Sequence, residues 1–108
     1  MSKRRVVITG LGIVSPVGNT VSSAWDSIVS GKSGITRITR FDASNFTSQI
    51  AGEVKDFDIQ QYLSAKEARR MDIFIHYGMA AAIQAVKDAG IEDVTHLDSE
   101  RVGVNIGS

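Results

Sequence analysis

The spacing of apolar residues changes along this chain, and each change marks an element. Residues 5–9 carry the continuous β-branched run Val6, Val7 and Ile8 and lead into Gly10, the pattern of a short buried strand. Val21, Ala24, Trp25, Ile28 and Val29 then recur at helical spacing and line one face of a helix. Asn19 or Thr20 supplies its N-cap, and Gly31 stands where a left-handed residue closes a helix. Residues 32–48, KSGITRITRFDASNFTS, show no sustained period and read as a long surface connection. Residues 49–54 read as a short strand weakened by Gly52.

The longest element is clearer. Ser64 followed three residues later by Glu67 forms a capping box, and a helix is expected from there to Ala89, interrupted by nothing but Gly78 and ended by Gly90. Between Ile73 and Val86 the polar side chains are His76, Tyr77 and Gln84, so this half must be covered on nearly every side, by the core or by a partner subunit. Its fourteen residues fall short of the roughly 20 needed to cross a bilayer. Residues 92–100 form an acidic loop. The closing RVGVNIGS reads as a strand with Val102, Val104 and Ile106 on one side and Gly103, Asn105 and Gly107 on the other, where a backbone can approach closely. The order β-α-β-α-β favours an α/β layer with parallel strands. So few strands leave long sheet edges, and a chain that stops at the end of an apolar strand reads as a fragment.

Composition narrows the classes. With 108 residues, 43% apolar and 22% charged, the chain makes one soluble globular domain at most. Twelve basic and twelve acidic residues cancel, so no whole-chain field draws it to nucleic acid or an anionic membrane. There is no cysteine, which excludes a disulfide, a thiolate metal site and a cysteine nucleophile within this chain. The basic start and the apolar run after it do not make a secretory signal, because that run is β-branched and broken by Gly10, Gly12 and Pro16; the cytosol is the expected location.

The stretch VVITGLGIVSPVGNT opens like a dinucleotide-binding turn and then departs from it. The fingerprint needs a third glycine three residues after the second, where Ser15 stands, and an acid about 20 residues on, which is missing. Gly10, Gly12 and Gly18 therefore read as structural turns, and a nucleotide-binding domain is the disfavoured alternative that an NAD titration would settle. His76 reads as a hydrogen-bonded core histidine, and His96, among Asp93, Asp98 and Glu100, as part of a charged surface loop with no metal-ligand pattern. Gly78 with Ala80, Ala81, Ala82 and Ala85 makes a small-residue face for core packing or a dimer contact. Lys66, Arg69 and Arg70 form a positive patch in a neutral protein, on the expected first turns of the long helix, where cations oppose the macrodipole. From these residues alone, a solvated surface and a docking site for an acidic partner both stay open.

Together, RRVVITGLGIVSPVGNTV, GKSGITRITRFDAS, AGEVKDFD and KEARRMDIFIHYGMAAAIQAVKDAG closely resemble the amino-terminal quarter of the β-ketoacyl-acyl carrier protein synthases. Ser15-Pro16 and RRMD look more like the synthase II branch than synthase I, while polyketide ketosynthases share much of the segment. The resemblance implies a thiolase-like fold of two similar α/β halves, usually dimeric, of which residues 1–108 would provide the first strands and helices of the first half, with an incomplete sheet. It implies a decarboxylative Claisen condensation in fatty-acid elongation, without metal or organic cofactor. In that family a cysteine takes the acyl group from acyl carrier protein and two histidines assist malonyl decarboxylation. None of those three matches a residue here; the cysteine lies further along the first half and the histidines in the second. The chain alone is thus expected to be inactive. The resemblance assigns carrier-protein docking to Lys66, Arg69 and Arg70, and sets substrate-pocket residues just after Gly107 and Ser108. A natural truncated module that binds carrier protein or a full-length partner without chemistry is the alternative from another class.

Overall fold

In the computed structural model, which describes residues 2–108, the three polar residues of the long apolar helix turn out to be its connectors. The elements run α1 (Val21–Val29), β1 (Ile35–Arg37), β2 (Ile50–Gly52), a 3-10 turn (Ile59–Gln61), α2 (Ala65–Ala68), α3 (Ile73–Ala89) and a second 3-10 turn (Ser99–Arg101).

Helix α1 begins at Thr20, whose hydroxyl accepts from the Ser23 amide while the Ser23 hydroxyl accepts from the Thr20 amide, so two orphan donors are satisfied reciprocally. It closes through Gly31 at φ 71°, a conformation that favours glycine. The next segment departs from the expected long connection. Within it β1 pairs antiparallel with β2, Ile35 opposite Gly52 and Arg37 opposite Ile50; the β-branched Ile35, Thr36, Ile38 and Thr39 suit an extended backbone.

The expected single helix from Ser64 to Ala89 is two. The Ser64–Glu67 capping box is present, yet α2 lasts four residues before the backbone tightens, with Arg70 N–H donating to Glu67 O and Met71 N–H to Ala68 O. Asp72, in extended conformation, then starts α3, which ends at Gly90 in the left-handed region.

Residues 5–9 and 102–106 form no regular element and have no ladder partner among the described residues, where strands were expected. A strand exists only by pairing. Their apolar side chains are bare, with Val6 92%, Ile8 82% and Val104 87% exposed. The parallel sheet expected from alternation is therefore not formed among the described residues, whose one sheet is the antiparallel β1–β2 pair. The buried apolar residues are small, Ala24, Ala43, Ala68 and Ala80, and α3 leaves Ile73, Phe74 and Met79 exposed. The radius of gyration of 17.5 Å exceeds the ~13 Å of a compact chain this long, in line with apolar faces that these residues do not cover.

What holds the elements together is polar. Gln84 Oε1 accepts from the Ile13 amide at 3.2 Å, and its Nε2 donates to Asn19 O at 2.8 Å and Tyr62 Oη at 2.9 Å. One turn on, Asp88 accepts from the Leu11 amide at 2.9 Å. The Leu11 and Ile13 amides and the Asn19 carbonyl are thus satisfied by side chains of α3. Gly10 and Gly12 are not in a turn, as expected of them, but at this crossing: a Cβ at Gly10 would collide with the Ala85 carbonyl and the Ala89 amide, and one at Gly12 with the Ala81 carbonyl. The turn itself is at Ser15–Gly18, whose amides and carbonyls exchange hydrogen bonds of 3.0 and 3.2 Å, with Pro16 at its first corner.

Candidate functional site

The cationic patch is built by the start and the abrupt end of α2. Ser64 Oγ accepts from the Glu67 amide at 3.3 Å, and Glu67 Oε2 accepts from the Ser64 amide at 3.1 Å and hydroxyl at 2.7 Å. Those bonds, led by the Ser64 hydroxyl, hold the Glu67 carboxyl below its ordinary range. The acid nearest the patch in sequence is therefore committed to the cap. Lys66, Arg69 and Arg70 are exposed, and none has a salt-bridge partner among the described residues, where the one ion pair is Arg40–Glu53.

Their position corrects the electrostatic argument made from a continuous helix. Because α2 stops at Ala68, Arg69 is its C-cap, the end where positive charge is favoured rather than opposed, while Lys66, in a helix of one turn, is as near its start as its end. The conflict with the macrodipole disappears for Arg69, while its lack of an ion-pair partner among the described residues remains.

His76 lies beside the patch, hydrogen-bonded as expected: its Nε2 is 2.8 Å from the carbonyl oxygen of Ala68. With Arg69 it lines a cleft of about 320 Å³ whose other walls are Ile59, Gln60, Ala65 and Ala68. His96 falls in the exposed loop before the second 3-10 turn, and no group of three or more potential metal ligands is gathered among the described residues.

A second network braces α3 through Tyr77. Arg40 Nη2 donates to Tyr77 Oη at 2.6 Å, its Nε is 3.7 Å from Glu53, and Phe57 packs edge-on to Tyr77 and stacked on Tyr62. The Tyr77 contact, first, raises the Arg40 pKa further. Glu53 accepts from the Thr39 amide and hydroxyl and the Arg40 amide, and the Thr39 amide does most to hold its carboxyl below the ordinary range. Sequence reasoning missed this pairing; the signal for β1 was the β-branched content of ITRIT, but nothing local ties Arg40 to a tyrosine 37 residues away.

At the chain's end, Ile106, Gly107 and Ser108 share a hollow of about 630 Å³ with Val14, Phe74, Gly78 and Met79. The hollow is mostly apolar. It lies against the crossing of residues 11–14 over α3.

Comparison with known proteins decides the family. The description Beta-ketoacyl synthase, N-terminal domain, matches residues 3–108. The chain belongs to this beta-ketoacyl synthase family. Over all 108 residues it is 58% identical to 3-oxoacyl-[acyl-carrier-protein] synthase 2 of Vibrio harveyi and 56% to that of Vibrio cholerae, covering 26% of each. The Synechocystis synthase 2 is 46% identical over the same span. The chain thus spans about a quarter of the length of these curated relatives. Among solved structures, the ishigamide ketosynthase/chain length factor superposes with a TM-score of 0.73 at 38% identity, over 82% of this chain and 22% of that one. The fold is accordingly part of the α/β, thiolase-like ketosynthase fold. Among the described residues no helix is long and apolar enough to cross a membrane.

Proposed function

We propose that this chain is the amino-terminal portion of the first half of a 3-oxoacyl-acyl carrier protein synthase that elongates fatty acids. The full protein condenses an enzyme-bound acyl group with malonyl-acyl carrier protein: the malonyl carboxylate leaves as carbon dioxide, the resulting carbanion forms the new carbon–carbon bond at the acyl thioester carbonyl, and the acyl carbon–sulfur bond breaks to return the cysteine thiolate. The observation that carries this reading is identity of 58% to a synthase 2 across the whole chain.

The chemistry belongs to a cysteine and two histidines supplied by the remainder of the synthase, since this chain contains no cysteine. The chain's own part is recognition. Lys66, Arg69 and Arg70, exposed and without a salt-bridge partner among the described residues, form the surface that receives the acidic carrier protein. The apolar hollow beside Gly107 and Ser108 forms part of the approach to the acyl site. The apolar faces of α3 and residues 5–9, bare here, are covered by the rest of the synthase and its dimer partner. The enzyme works in the cytoplasm without metal or organic cofactor; the phosphopantetheine arm belongs to the carrier.

The test is an assay of the full-length protein with acyl- and malonyl-carrier protein in the presence of a chelator. Release of carbon dioxide with formation of the two-carbon-longer 3-oxoacyl-carrier is expected. A folded protein that yields neither contradicts the reading.

A further inference from the structure

We propose that His76 is a positioning residue for carrier docking: by donating from Nε2 to the Ala68 carbonyl it fixes the turn between α2 and α3, and so the presentation of Arg69 and Arg70. This rests on the docking reading above. A helix of four residues does not hold itself, because isolated helices shorter than ~12 residues are marginal even in favourable sequences. Its start is secured by the Ser64–Glu67 box, but its last carbonyls have no intrahelical partner. Ala68 is buried, at 8% exposure, so its carbonyl needs donors from the protein. It has two, the Met71 amide at 3.2 Å and the His76 ring at 2.8 Å.

The His76 bond is the one that ties this turn to the body of α3. Asp72, the N-cap of α3, makes no side-chain cap bond. A carbonyl only accepts, so the ring nitrogen facing it carries the hydrogen. Arg69 follows Ala68 directly and lines the same cleft as His76. Loss of the bond frees a carbonyl that terminates α2 and loosens the two arginines, without touching the reacting atoms.

The experiment compares H76M, H76Q and R69E in the full-length protein, reading kcat and KM for acyl-carrier protein and for a carrier-free acyl thioester. Methionine keeps bulk but donates nothing; glutamine restores a donor. H76M is expected to raise KM for the carrier about three- to tenfold, with kcat and the carrier-free reaction unchanged, and H76Q to stay near the parent. Should H76M not fold, H76N, whose shorter amide stops short of the carbonyl, takes its place. A KM unmoved by loss of the donor while R69E raises it overturns the positioning role and leaves docking intact. If R69E is also without effect, both fall.

Discussion

Gln84 and Tyr62 meet through a 2.9 Å hydrogen bond from the amide nitrogen to the phenol oxygen, and the same glutamine holds Ile13 and Asn19. One side chain on α3 therefore fastens the glycine-rich amino-terminal segment and the loop that leads to α2. Replacing Gln84 by leucine leaves a part-buried amide and carbonyl unpaired. The expected cost is about 2–4 kcal/mol, read as a lower urea midpoint with unchanged slope in the full-length protein. A midpoint equal to the parent's would mean that the crossing is held by packing instead.

Two glycines answer to different constraints and separate by substitution. Gly12→Ala drives a methyl group into the Ala81 carbonyl and is expected to destabilise by about 1–3 kcal/mol. At Gly31 a Cβ meets nothing, but φ is 71°, so Gly31→Ala costs about 1 kcal/mol and Gly31→Asn less, asparagine tolerating that region better. Thermal melts of the three variants give the order directly.

Glu53 links stability to acid. Its carboxyl is held below 4.5 chiefly by the Thr39 amide, so the folded state binds this proton less readily than the unfolded chain. Its stabilisation is fully present above the ordinary glutamate value and is lost as pH falls through the lowered one. Glu53→Gln should flatten the decline in stability below pH 4.5 while costing stability at neutral pH. An acid limb identical to that of the parent would remove Glu53 from the account.

The parts of this fold legible in the sequence are those written in local chemistry. The box at Ser64 and Glu67, the cap at Thr20, one of the two residues expected there with Asn19, and the stops at Gly31 and Gly90 need only neighbours a few residues away, and each is present. The break at Arg70–Asp72 was hidden because its residues tolerate a helix; Asp72 before an apolar run was the signal, masked by the stronger box upstream. Strands at residues 5–9 and 102–106 depend on partners that local pattern cannot supply, and among the described residues there are none. For the site, the charges of Lys66, Arg69 and Arg70 were plain in the sequence. Their lack of ion pairs among the described residues was not, since it depends on Glu67 being spent on Ser64.

The measurement that bears most directly on the central claim is the KM for acyl-carrier protein of the full-length R69E/R70E variant, taken at low and at high salt. Docking by this patch predicts a KM raised at least about tenfold at low salt, a smaller difference at high salt where charge is screened, and an unchanged rate with a carrier-free thioester. A KM equal to the parent's at low salt would contradict it and return these residues to an ordinary solvated surface.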